Sequence, residues 1–151
     1  MAKELIGYIE NGIVIDHLPP SIVWKVARIL KIENQKEGRI SLGDHYFSTR
    51  MGKKSFIKIE GRSLTPYEIN LVALIAPDAT INKIINGKVK EKTKAVIPER
   101  LENIVLCNNP NCITNDPTEQ VEPIIYYKKG IFSCHYCDSK FLKSELKIKD
   151  F

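Results

Sequence analysis

Along the first two thirds of the chain, apolar positions alternate with period two, then cycle with helical period, then alternate again. Residues 4–9 (E-L-I-G-Y-I) and 13–16 (I-V-I-D) are Ile- and Val-rich runs parted by Asn11-Gly12, a hairpin or bulge signal. After H-L-P-P-S, residues Ile22, Val23, Val26, Ile29 and Leu30 fall on one helical face. That spacing predicts a helix over about 20–32, with Pro19 or Pro20 suited to its first turn. Trp24 stands off the stripe and is expected to pack at the edge of the core. A polar turn (33–38) leads to a short strand from Arg39 to Gly43 and then a loop, D-H-Y-F-S-T-R-M-G. Lys53–Glu60 alternates like a strand, with Ile57 and Ile59 toward the core and Lys54, Phe56 and Lys58 on the other face.

Thr65-Pro66-Tyr67-Glu68 marks a second helix start: Thr caps, Pro takes the first turn and Glu68 closes a capping box. Ile69, Val72, Ala73 and Ala76 form its apolar stripe, and Pro77 stops it. Residues 79–85 read as a strand, Asn86-Gly87 as a hairpin turn, and the following run to about 96 as another strand. Lys88, Lys90, Lys92 and Lys94 would share one face of that strand by period two, with Val89 facing inward. Lysines commonly protect an edge strand, so a solvated edge is the simplest reading of that row. The order β-β-α-β-β-α-β-β predicts an α+β fold, a ferredoxin-like α/β sandwich of an antiparallel sheet with two helices. Pro98 begins a linker, P-E-R-L-E-N. Short strands are then expected over 104–106, 121–127 and 131–133, and the division falls at 1–97 and 98–151.

The second segment contains all four cysteines, Cys107, Cys112, Cys134 and Cys137. Two close pairs separated by about two dozen residues match a tetrahedral Zn²⁺ site with no open position, so a small four-cysteine zinc ribbon is expected, holding one structural Zn²⁺. Two disulfides are the weaker alternative, because Cys134 and Cys137 are too close for an unstrained bridge and the N-terminus carries no secretion signal. Exchange of His135 for one cysteine is weaker still. A segment of roughly 50 residues is too small to rely on its own core, and a metal would supply the missing folding energy.

Charge separates the segments. The net charge is +5. Residues 1–98 carry 16 Lys/Arg against 10 Asp/Glu (+6), and residues 99–151 carry 7 against 8 (−1). A ribbon built to hold nucleic acid would be basic, so a nucleic-acid partner is not expected, and an anion is expected on the first segment. No run of about 18 apolar residues is present, so no membrane partner is expected either, and the cysteines fit a reduced, cytoplasmic setting. Phosphate-loop, dinucleotide and nucleophile-elbow motifs are missing, and a closed four-thiolate site leaves no coordination position for substrate. No catalytic residues are assigned. The I-D-H segment places a carboxylate and an imidazole at a strand end just before a helix, where a carboxylate can meet ribose hydroxyls while lysines meet phosphates.

Taken together, N-G-I-V-I-D-H-L-P (11–19), M-G-K-K-S-F-I-K-I-E (51–60), A-P-D-A-T-I-N-K-I (76–84), P-E-R-L-E-N-I-V-L-C-N-N-P-N-C-I (98–113) and C-H-Y-C-D-S-K-F (134–141) make the chain similar to the regulatory chains of aspartate carbamoyltransferase, over nearly its whole length. The resemblance implies a non-catalytic chain of pyrimidine biosynthesis. Its N-terminal domain would bind nucleoside triphosphate effectors, CTP and ATP. Its zinc domain would dock on the catalytic chain. Such chains pair as homodimers and bridge catalytic trimers. By position, the resemblance assigns Asp16 and His17 to ribose and phosphates, and Lys54, Lys58 and Lys92 to the effector, with Lys92 on the triphosphate. It assigns Ile9, Val14, Ile84 and Val89 to the surroundings of the base, Thr80 and Asn82 to the strand beside the phosphates, and the four cysteines to zinc. Gly87, in the turn beside the base, and the aromatic stretch 43–51 depart from the family's pattern.

Overall fold

A computed structural model describes residues 8–151, in two compact units, Met1–Val96 and Ile97–Phe151. In the first unit the order is β1 (Gly12–Leu18), α1 (Ile22–Ile29), β2 (Ile40–Ser48), β3 (Gly52–Glu60), α2 (Pro66–Ile75), β4 (Thr80–Ile85) and β5 (Lys88–Lys94). These strands form one antiparallel sheet in the order β2-β3-β1-β4-β5. The first four make the ferredoxin-like arrangement, and β5 is a strand added at the edge. Ile13, Ile15, Ile57 and Ile59 point to one face and are buried with Val23, Val26, Leu71, Val72 and Leu74 of the helices. Helix α1 packs on β3 and on α2. The other face of the sheet carries the alternate residues, and among the described residues no helix covers it.

Several expectations change. Residues 4–7 of the first expected strand lie outside the described residues, and Tyr8 and Ile9 are irregular backbone. Helix α1 is shorter than 20–32 because its ends are set by left-handed residues. Ser21 (φ 71°) precedes it and Lys31 (φ 53°) follows, ahead of a 3₁₀ turn at Ile32–Asn34. Both prolines therefore sit outside the helix. Trp24 is 59% exposed rather than packed on the core, and its Nε1–H donates to Asp44 at 3.0 Å. The same carboxylate accepts the Ser21 N–H at 2.8 Å, capping α1 from another element. The expected loop after Gly43 is instead the second half of β2, which resumes pairing with β3 at Tyr46 after a two-residue bulge. Helix α2 follows its predicted start. Thr65 and Glu68 form the reciprocal capping box, with Pro66 in the first turn.

Strand β5 differs most from its period-two reading. Asn82 pairs with Lys92 and Lys83 with Glu91, but Ile84 pairs with Val89. Lys90 is the extra residue of a bulge, and beyond it the face reverses. The four lysines do not share a face. Val89 shares one with Lys92 and Lys94 and is 58% exposed rather than turned inward.

The second unit is a four-stranded antiparallel sheet, β6 (Arg100–Glu102), β7 (Ile124–Lys128), β8 (Ile131–Cys134) and β9 (Lys140–Phe141), in that order. The stretch expected as linker supplies β6. The strand expected at 104–106 is reduced to a single bridge between Val105 and Ile148. Its small core holds Leu101, Ile104, Val105, Ile125, Phe132 and Phe141, with the last two rings stacked at 5.5 Å.

Candidate functional site

The helix-free face of the first sheet gathers most of the residues singled out from the sequence. Directly paired residues on antiparallel strands share a face, so the register defines rows. Val14 pairs with Lys58 on one side and Asn82 on the other, and Asn82 pairs with Lys92. Lys58, Val14, Asn82 and Lys92 therefore line up across four strands. Asp16, Thr80 and Lys94 form the next row toward the end of β1, while Gly12, Ile84 and Val89 form the preceding one. Each row is offset by two residues, about 7 Å. The face is thus apolar at one end and charged at the other, over about 13 Å from Gly12 to Asp16.

At the charged end the side chains are already engaged. The Asp16 carboxylate receives Lys54 Nζ at 2.9 Å and the His17 backbone N–H at 2.7 Å. His17 sits where the β1–β3 register slips and has φ 59°. Its Nδ1 is 2.8 Å from Thr80 Oγ1. Burial pushes the His17 imidazolium pKa below its usual value. Asp16 opposes the shift, while the charges of Lys54, Arg50 and Lys92 add to it. The charges of three cations thus act on one imidazole, and Arg50 is one that sequence reasoning did not select. The ammonium groups of Lys54 and Lys58 stand 5.8 and 5.6 Å from the Phe56 ring centroid. Asn82 Oδ1 is buried with no hydrogen-bond partner among the described residues. Ile9 is buried just before β1 and belongs to none of these rows.

In the second unit, the turn before the first 3₁₀ segment supplies Cys107 and Cys112, and the end of β8 with its following turn supplies Cys134 and Cys137. All four Sγ atoms lie within 4.8 Å of one another. Cys107 and Cys137 are 3.5 Å apart, and Cys112 and Cys134 are 3.7 Å apart. A tetrahedral ion with metal–sulfur bonds of about 2.3 Å needs sulfur separations of about 3.8 Å, so the donor set fits such an ion. Backbone N–H groups of Asn109 and Tyr136 point at Cys107 and Cys134 Sγ, each at 3.4 Å, and the Thr114 hydroxyl donates to Cys112 at 3.2 Å. These donors favour thiolate character. Burial raises the thiol pKa of Cys107 and of Cys134. Burial also acts upward on Cys137, but hydrogen bonding with Ser139, Asn109 and Cys107 outweighs it and brings that thiol to about 6. His135 stays out of the cluster and bonds the Tyr126 hydroxyl at 2.7 Å.

Residues 4–96 match the profile of the aspartate carbamoyltransferase regulatory chain, allosteric domain, and residues 99–147 match that of the metal binding domain of the same chain. The chain belongs to the aspartate carbamoyltransferase regulatory chain family. It is similar to the regulatory chain of Pyrobaculum arsenaticum, at 44% identity over 141 residues covering 91% of this chain and 93% of the relative. The regulatory chain of Parabacteroides distasonis is 41% identical over 149 residues, covering 97% and 96%. That of Methanopyrus kandleri is 39% identical over 142 residues, covering 92% and 90%. This regulatory chain therefore joins an allosteric and a metal-binding domain and is not catalytic. Among its described residues no helix is long and apolar enough to cross a membrane.

Proposed function

We propose that the helix-free face of the first sheet binds a nucleoside triphosphate, CTP or ATP, and that this controls a catalytic chain of aspartate carbamoyltransferase. The observation that carries the reading is the polarity gradient across adjacent rows. Ile84 and Val89, with Val14 in the adjoining row, offer apolar surface to a base, and Ile9 is buried just before β1. Asp16, His17 and Thr80 lie a nucleoside's length away, with Lys58 and Lys92 flanking the middle row. Lys54 is held on Asp16, so it orients the carboxylate toward a ribose hydroxyl, and Lys92 is the main triphosphate contact. Asn82, whose buried Oδ1 has no hydrogen-bond partner among the described residues, stands between Val14 and Lys92 in the middle row.

The metal of the second unit is zinc, in a structural role, because four thiolates leave no position for a substrate. That unit docks on catalytic trimers, and the first unit pairs with its counterpart in a second regulatory chain, in the cytoplasm. A nucleotide acts only through its different affinity for two quaternary states. Calorimetric titration of CTP and ATP into the zinc-loaded chain is expected to show saturable binding, weakened at least tenfold for both by Lys92→Ala, since the phosphates are common to both. Unchanged affinities in the variant would reject the lysine assignment, and no binding by the wild-type chain would reject the effector site.

A further inference from the structure

The β4–β5 turn, at the apolar end of the sheet, has an aromatic neighbour that neither the residue pattern nor the resemblance selected. A Cβ built on Gly87 would lie 2.3 Å from Tyr8 Oη and 2.9 Å from two atoms of its ring. The Tyr8 phenol therefore rests directly on the backbone of the β4–β5 turn. Only glycine permits this approach. It has no side chain to occupy the space, and its φ of +76° is one that other residues resist. The turn is clasped to the segment that carries Tyr8. Gly87 N–H donates to the Glu10 carbonyl at 2.8 Å, and Asn86 N–H to Asn11 Oδ1 at 3.2 Å. Arg39 holds the Tyr8 carbonyl at 3.1 Å while also engaging Glu60. Tyr8 is nevertheless 44% exposed, so part of its ring stays open to a ligand. This end of the sheet is the one where Ile84 and Val89 pair.

We infer that Tyr8, seated on Gly87, is the aromatic wall against which the heterocycle of the nucleotide lies, and so a specificity-determining residue of the site. This rests on the nucleotide reading above. A flat ring stacked on a phenol contributes to binding whichever base it carries, while a phosphate chain bound at the charged end does not reach it. The test is a titration of CTP, ATP and inorganic tripolyphosphate into the zinc-loaded full chain, with Tyr8→Ala and Tyr8→Phe beside the wild type. Tyr8→Ala is expected to weaken both nucleotides about tenfold and to leave tripolyphosphate unchanged, whereas Tyr8→Phe keeps wild-type affinities. Nucleotide affinities that stay within twofold in Tyr8→Ala overturn the inference while leaving the effector site standing. A matching loss of tripolyphosphate overturns it too, because Tyr8 would then support the whole face rather than the base. If the wild type binds tripolyphosphate but neither nucleotide, the nucleotide reading fails and the Tyr8 wall with it.

Discussion

His17 shows how a single residue can report on the site. Its backbone is left-handed, its imidazole faces the Thr80 hydroxyl, and burial together with Lys54, Arg50 and Lys92 holds its pKa below the usual histidine value. The free chain therefore carries it largely neutral at pH 7. A group whose pKa is depressed on folding contributes stability above its unfolded pKa and loses it as pH falls, because the unfolded chain then binds the proton more readily. A triphosphate beside it would reverse the bias by favouring the imidazolium. Nucleotide binding is then expected to take up a proton and to tighten as pH falls from 8 toward 6. Calorimetry in buffers of different ionisation enthalpy measures that uptake directly, and His17→Gln should abolish it. Proton uptake that persists in the variant would place the responsible group elsewhere. Little of this was legible in the sequence. The I-D-H segment pointed to a strand end, but the cations around His17 come from β3, β5 and the β2–β3 turn. Tyr8 gave no signal at all, since its role depends on a glycine 79 positions away in the chain.

Among the elements, β3 and α2 followed their sequence pattern, whereas β5, β6 and the second half of β2 did not. Ile57 and Ile59 face the core because period two is local, and α2 starts at its capping box because Thr65, Pro66 and Glu68 act within one turn. Thr65→Ala should cost about 1 kcal/mol in chemical denaturation. Bulges are different, because they are fixed by partners on another strand. The lysine row of β5 looked continuous, yet the extra residue at Lys90 turns Val89 to the face of Lys92 and Lys94. This has a sharp consequence. Deleting Lys90 removes the bulge and leaves Glu91 opposite Lys83 and Lys92 opposite Asn82, so nucleotide affinity should change by less than about threefold. On an unbulged strand the same deletion would swing Lys92 to the helix side and abolish binding. The β2 bulge after Gly43 and the Asp44 cap on Ser21 left no sequence pattern for the same reason: each is fixed by a partner on another element, Ser21 lying 23 positions from Asp44.

At the scale of the whole molecule, the two units depend on different sources of stability. The first has a core built from β1, β3, β4 and two helices, with Ile15, Leu18, Val23, Val26, Ile57 and Ile59 inaccessible to solvent. The second has four short strands and 55 residues, below the size at which an apolar core alone suffices. Its two cysteine pairs come from segments that no long strand ties together, so their convergence within 4.8 Å is the main constraint on the fold. Removing the metal would leave four sulfur groups converging on an empty centre, with the thiols of Cys107 and Cys134 driven toward their protonated forms by burial. Dialysis against a chelator is therefore expected to open residues 97–151 to limited proteolysis and to quench the dispersed amide signals of β7 and β8. The signals of β1, β3 and β4 should remain in place, and nucleotide should still titrate them. Cys112→Ser should do the same without chelator. Both treatments should end association with catalytic trimers, as followed by sedimentation. Protection of 97–151 that survives complete metal loss would mean that Phe132, Phe141 and their apolar neighbours suffice to fold it, and the metal would then have to be given some role other than holding the unit together.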